Sequence, residues 1–161
     1  MESFKGIRIS LEPLKLIHVY EMKDWTKYDN PLFYSYNFPD LDHYEVKKWF
    51  DIKASEKNCR TFSVVLNDTK KAIGIISIKD IRKILKVATL GISFDSKHIN
   101  KGYGTDAIKM LLKYYFKVMG MRTIYLDVAK HNIRAINCYK KCGFRKIKKY
   151  IMKEEDIKLE D

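Results

Sequence analysis

Between Arg60 and Phe94 the chain carries three β-rich runs with almost nothing between them. Arg60–Leu66 holds Thr, Phe and two Val, Ala72–Ile81 reads AIGIISIKDI, and Leu85–Phe94 contains Val87, Leu90, Ile92 and Phe94. The connectors are the turn NDTKK and the few residues from Arg82 to Ile84. Three strands in a row on such short turns predict an antiparallel meander, and the rest of the chain has to be arranged around it. Upstream, Gly6–Leu11 alternates apolar and polar residues as a strand, and Pro13–Trp25 reads as a short helix. Residues 26–41 are turn-rich and aromatic, and Asp42–Lys57 reads as a second helix, its Asp42 and Glu45 spaced as a capping box. Downstream come a helix at Thr105–Met119 ending at Gly120 and a strand at Thr123–Val128. A helix at Asn132–Cys142 closed by Gly143 and a last strand at Phe144–Met152 follow. The order β-α-α-β-β-β-α-β-α-β is that of an α+β, or mixed α/β, domain around one sheet.

At 161 residues, with no repeat and no Gly/Ser- or Pro-rich linker, the chain is expected to form a single domain, 1–161. Aromatic residues at 13% and an apolar share of 46% exclude disorder as the main state. No run approaches the ~18–20 apolar residues of a spanning helix, and the opening MESFKGIRISLEPL lacks the apolar segment of a signal peptide. Three cysteines without metal-type spacing predict a reducing, cytoplasmic setting and no metal site. Cys138 and Cys142, at i and i+4, read as buried helix cysteines. The net charge is +12, and it is uneven. Residues 1–50 hold seven Lys/Arg and eight Asp/Glu, whereas residues 51–161 hold twenty-five and twelve. A basic surface of that kind attracts a phosphorylated cofactor, RNA or ribosome, or is simply a solvated lysine-rich face.

Two segments carry the chemistry. The first is Lys97-His98-Ile99-Asn100-Lys101-Gly102-Tyr103-Gly104-Thr105, joining an apolar strand to an amphipathic helix. Glycines let backbone N–H groups approach a bound group, and the helix that follows presents unpaired N–H groups and a positive dipole end. Together they suit a phosphate, although the loop is neither a Walker A nor a dinucleotide fingerprint. The second runs from Asn132 to Phe144, with Asn132 placed to cap a helix and Tyr139 about two turns further along it. A phenol there is a candidate proton donor, or else part of the core.

Taken together, the two segments resemble the GNAT (GCN5-related N-acetyltransferase) superfamily. The family's cofactor loop, Q/R-x-x-G-x-G/A, is matched at Gly102 and Gly104, with Ile99 where the family has Gln or Arg. Its later motif, N-x-x-A-x-x-x-Y-x-K-x-G-F, is matched at Asn132, Ala135, Tyr139, Lys141, Gly143 and Phe144. The layout before the meander resembles the RimJ/RimL and spermidine acetyltransferase branch. The resemblance implies a central, mostly antiparallel, twisted sheet flanked by about four helices. It also implies acetyl-CoA as cosubstrate and direct acetyl transfer to a primary amine. By the same resemblance, Ile92, Ser93 and Phe94 hold the pantetheine arm. The loop Ile99, Asn100, Lys101, Gly102, Tyr103, Gly104 and Thr105 binds the pyrophosphate. Asn132 faces the cofactor near the thioester, and Tyr139 protonates the departing thiolate. Only 17 residues follow Phe144, so the family's final hairpin is abbreviated unless Ile151–Leu159 forms an edge strand.

The acceptor is expected to meet the N-terminal half. Residues 20–44 contain eight aromatics and five acids against two lysines, a composition suited to a cationic amine. Glu21, Asp24, Trp25, Asp29 and Tyr36 are the candidate acceptor-binding residues. A polyamine or other small cationic amine is favoured over a protein N-terminus, as of a ribosomal protein. Readings of another class are a basic RNA-binding module and a non-catalytic acetyl-CoA sensor. No general base is assigned: Asp127 reads as an outward strand residue, Asp95 as a loop cap, and His98 and His131 as solvated loop residues. The protein is expected to be a monomer or homodimer with no membrane partner.

Overall fold

The structure is a computed structural model that describes residues 2–148. Six strands form one sheet in the order of the chain: β1 (Phe4–Lys5), β2 (Ile9–Pro13), β3 (Arg60–Leu66), β4 (Ala72–Arg82), β5 (Val87–Phe94) and β6 (Thr123–Tyr125). All neighbours are antiparallel except β5 and β6, which are parallel. The four α-helices among the described residues are α1 (Leu16–Lys23), α2 (His43–Ser55), α3 (Tyr103–Lys113) and α4 (Ile133–Lys141). The meander is therefore as the sequence predicts, and β6 joins it by a crossover through α3.

β3 is apolar along most of its length because it is covered on both faces. Phe62 and Val64 join Ile9, Leu11, Ile76, Ile78 and Leu90 in one cluster with Ala107, Ile108 and Leu111 of α3. Thr61, Ser63 and Val65 alternate with them and so face the other way, where α1 packs against β4 and α2. Asp42 caps α2 as expected: its carboxylate accepts from the Glu45 N–H, and Glu45 accepts from the Asp42 N–H, both at 2.8 Å.

Several boundaries differ from the sequence pattern. The helix expected over Pro13–Trp25 is confined to Leu16–Lys23, because Pro13 still pairs with Phe62 as the end of β2. The first long strand begins at Ile9 rather than Gly6, because the Gly6 N–H closes a turn onto the Ile9 carbonyl at 2.8 Å. The helix expected over 105–119 starts at Tyr103, and its last turn, Tyr114–Val118, is a π-helix. The wide turn buries the adjacent Tyr114 and Tyr115, and the Tyr115 hydroxyl donates to the Thr123 carbonyl. β6 stops at Tyr125, not Val128, because its ladder with β5 ends there. Residues 144–148 form no strand, and the remainder of the expected last strand, like Ile151–Leu159, lies outside the described residues. Among the described residues no helix is long and apolar enough to cross a membrane.

Candidate active site

The parallel ladder between β5 and β6 pairs Val87 with Thr123, Ala88 with Ile124 and Thr89 with Tyr125, then ends. β5 runs on to Phe94, still paired with β4 as far as Gly74. The edge of β5 from Leu90 to Phe94 thus has no strand beside it among the described residues, and the chain after Tyr125 diverges toward α4. A narrow cleft of about 50 Å³, partly open to solvent, lies at this divergence. Its walls include Ile92, Ser93 and Phe94 of β5, Gly104 of α3, Asn132 before α4, and Ala135 and Tyr139 of α4. Tyr28, Tyr36 and Arg134 close the remaining side.

The loop from Ile99 to Gly104 begins beyond the end of β5. Asn100 and Gly102 both adopt positive φ, +60° and +83°. Alternating left-handed residues turn successive N–H groups into a concave donor array, which is a preference for anions. Gly102 is the N-cap of α3, so the helix's free N–H groups and dipole end lie in the same place. Ile99, the departure from the family pattern, packs against the hydrophobic core, so its side chain serves the fold and its backbone remains available. The residues present therefore fit a ligand with an extended, hydrogen-bonding arm and a polyphosphate.

α4 accounts for most of the later motif, with Lys141 exposed on its surface. Asn132 is 3% exposed. Its Oδ1 accepts from the Ala135 N–H at 3.2 Å, capping the helix, and its Nδ2 donates to the Tyr36 hydroxyl at 3.1 Å. At the other end the Gly143 N–H donates to the Lys140 carbonyl and the Phe144 N–H to the Tyr139 carbonyl, both at 3.0 Å. This is a Schellman closure. It requires the positive φ of Gly143, +95°, and it brings the Phe144 ring against that of Tyr139 at 6.1 Å. Among the described residues the Tyr139 hydroxyl has no hydrogen-bond partner, and burial pushes its pKa up to about 12. Cys138 and Cys142 are half-buried toward α3, where Cys138 Sγ lies 3.4 Å from the Thr105 hydroxyl. Burial raises the Cys142 thiol to about 11, so it stays protonated near neutral pH.

Of the five acceptor candidates, Tyr36 alone reaches the cleft. Glu21 accepts from the Ala72 N–H at 2.6 Å, and Trp25 Nε1 donates to the Ala72 carbonyl at 2.9 Å, so both hold the start of β4. Asp24 and Asp29 are exposed and do not line the cleft. The aromatic segment divides similarly. Tyr28, Phe33 and Tyr36 pack on one another with centroids about 6 Å apart, whereas Phe38 packs on Trp49, and Tyr34 and Tyr44 are exposed. Burial raises the Tyr28 phenol, against the pull of the neighbouring Arg134.

Asp95 is a cap, as read: its Oδ1 accepts from the N–H groups of Thr26 at 2.9 Å and Lys97 at 3.1 Å. Asp127 is exposed. His98 is half-buried, and desolvation lowers its pKa against the pull of Asp95. His131 is exposed but tethered, its Nε2 lying 3.0 Å from the Leu32 carbonyl. Among the described residues the cleft lining contains no carboxylate and no imidazole.

Residues at or around the site that the sequence pattern did not single out as acceptor or cofactor candidates include Tyr28, Arg134 and Arg8. Tyr28 and Arg134 line the cleft. Arg8, next to β2, reaches the loop at Lys101 and Asp106, over separations of 93 and 98 residues. Nothing local marks such a residue, since a basic side chain beside a strand is ordinarily solvated.

An open β5 edge, a left-handed loop at a helix start and a capped α4 carrying Asn132 and Tyr139 converge on this one cleft. The chain belongs to the GNAT acetyltransferase family, whose domain model matches residues 8–145. Among curated relatives, a spermidine N(1)-acetyltransferase of Vibrio cholerae is 33% identical over 50% of this chain and 47% of its own length. The Escherichia coli spermidine N(1)-acetyltransferase is 32% identical over 62% of this chain and 53% of its own. The chain thus spans about half the length of these relatives. The uncharacterized N-acetyltransferase YnaD of Bacillus subtilis is 31% identical over 81% of this chain and 79% of its own. A solved Vibrio cholerae spermidine N-acetyltransferase, described in complex with CoA and spermine, superposes with a TM-score of 0.71. It does so at 24% identity, covering 84% of this chain and 80% of that one, a likeness of fold.

Proposed function

We propose that this chain is an acetyl-CoA-dependent N-acetyltransferase that passes the acetyl group directly to a primary amine. The observation that carries the reading is the parting of β5 from β6 after Thr89 and Tyr125, beside the left-handed loop and under Tyr139. A small cationic amine is the favoured acceptor, and spermidine is the first to test, because the Vibrio cholerae and Escherichia coli relatives are named for it.

In this reading the free edge of Ile92, Ser93 and Phe94 binds the pantetheine arm, and the N–H groups of 99–105 bind the pyrophosphate. Acetyl-CoA supplies the activated thioester. Tyr139 donates a hydrogen bond to the sulfur as charge builds there. Its pKa of about 12 keeps it a donor across the working range, and a CoA-like thiolate, near 8.5, is already a fair leaving group. Asn132 is a positioning residue, since both ends of its amide are engaged, one on α4 and one on Tyr36. With no carboxylate or imidazole in the lining among the described residues, the amine in this reading enters the reaction already neutral or loses its proton to water. An alkylamine near pKa ~10.4 is almost wholly protonated at neutral pH. The expected kcat/KM therefore rises about tenfold per pH unit up to the amine's own pKa, with no descending limb from Tyr139 below about pH 11.

Calorimetric titration with acetyl-CoA, followed by an acetylation assay on spermidine and on N-terminal peptides, tests the reading. One-to-one binding with turnover supports it. No binding at millimolar acetyl-CoA, together with steeply salt-dependent RNA binding, would replace it with the RNA-binding reading.

A further inference from the structure

We propose that Arg8 is a positioning residue for the phosphate-binding loop, acting through Lys101 and Asp106; the inference rests on the acetyl-CoA reading above. Arg8 sits beside β2, and its guanidinium makes a fork onto the opposite side of the molecule's chain order. Nη1 donates to the Lys101 carbonyl at 2.8 Å, and Nε and Nη2 donate to Asp106 Oδ2 at 3.1 and 2.7 Å. The same group lies 4.6 Å from the centroid of the Tyr103 ring. A Cβ on Gly102 would come within 3.0 Å of Nη2, so the guanidinium lies directly against the left-handed turn.

Two physical consequences follow from this placement. The first concerns direction. A trans peptide is planar, so holding the Lys101 carbonyl on the Arg8 side turns the Gly102 N–H to the opposite side. Arg8 thereby sets the aim of a donor in the middle of the anion loop. The second concerns charge. Asp106 lies in the first turn of α3. A carboxylate there suits the helix dipole but opposes a phosphate bound at the same helix start. The fork from Arg8 cancels that charge where the anion binds. Lysine could supply the charge but not the two-point geometry.

The test is calorimetric binding of CoA and of pantetheine, which lacks the phosphates, to the wild-type chain and to Arg8→Met, Arg8→Lys and Arg8→Met/Asp106→Asn. Arg8→Met should lose about tenfold or more in CoA affinity while pantetheine affinity stays within twofold. Arg8→Lys should fall between, and Asp106→Asn in the double variant should restore part of the loss. In turnover, the KM for acetyl-CoA should rise with kcat nearly unchanged. Equal CoA affinity in wild type and Arg8→Met overturns the proposal. Equal losses for CoA and pantetheine also overturn it, since they would mark a general loosening of the fold. If Arg8→Met does not fold, Arg8→Lys decides alone: unchanged CoA affinity overturns the geometric role. A wild-type chain that binds no CoA overturns the acetyl-CoA reading itself, and this proposal with it.

Discussion

The two walls of the cleft are assembled by different means. The inner wall, from Ile92 to Phe144, is made mostly of local devices, a strand end, two left-handed residues, a helix cap and a Schellman closure, with Arg8 reaching its loop from beside β2. The outer wall, residues 26–37, is built on a short 3₁₀ segment, Pro31–Tyr36, capped by Asn30, and is fastened to the rest of the molecule by distant partners. Ser96 Oγ donates to the Thr26 carbonyl at 2.7 Å, and Ser93 Oγ to the Tyr36 carbonyl at 3.4 Å. Tyr28 donates to the Phe94 carbonyl at 3.4 Å, and Asn132 to the Tyr36 hydroxyl at 3.1 Å. A wall of local motifs holds the reacting groups in one geometry. A wall hung on a few long-range hydrogen bonds can change its surface without disturbing them. In this reading the chemistry belongs to the inner wall and the choice of amine to the outer.

The largest expected effect tests the inner wall. Tyr139→Phe should lower kcat by about 10²-fold with acetyl-CoA affinity within twofold, measured by steady-state kinetics and calorimetry. Unchanged kcat would remove Tyr139 from the chemistry. Asn132→Ala severs the link between the walls. Losing the cap should cost about 1–2 kcal/mol in denaturant unfolding, and freeing Tyr36 should raise the amine's KM more than that of acetyl-CoA. Equal rises in both would mean that the walls are not separable.

Glu21→Gln probes a tie that lies outside both walls, between α1 and the start of β4. Weakening a charge-assisted bond to the Ala72 N–H should cost about 1 kcal/mol and leave the amine's KM unchanged. A raised KM at unchanged stability would return Glu21 to the acceptor site. The smallest effect is an acid one on His18. It is 4% exposed, with Nδ1 accepting from the Lys15 N–H at 3.2 Å and Nε2 lying 3.3 Å from Glu12. Burial holds its pKa below the ordinary 6.5, so the unfolded chain takes up a proton first. Stability is then full above pH 6.5 and declines as pH falls below it. His18→Gln should flatten that decline, and α1 should loosen before acetyl-CoA binding is lost.

Much of the architecture was legible in the residues because it is built from local rules. The meander followed from short turns, α2 from the Asp42–Glu45 box, and α4 from Asn132 and Gly143 at its two ends. The inner wall was legible for the same reason: a motif of fixed spacing is a local object. The ends of β6 and α3 were not, because pairing with β5 and the burial of Tyr114 and Tyr115 decide them. Composition also misdirected the reading of residues 20–44. Acids and rings look alike in a sequence whether they face a ligand or a strand, and only Tyr28 and Tyr36 of that stretch line the cleft. What the sequence determined by itself is the meander, the loop and the capped helix that carries Tyr139, since each is set by residues close together in the chain. What the tertiary structure decided is that Glu21 and Trp25 hold Ala72, that Arg134 and Tyr28 enter the cleft, and that Arg8 grips the loop. Those contacts join residues far apart in the chain, and a hydrogen bond across such a separation leaves no periodicity or spacing to read.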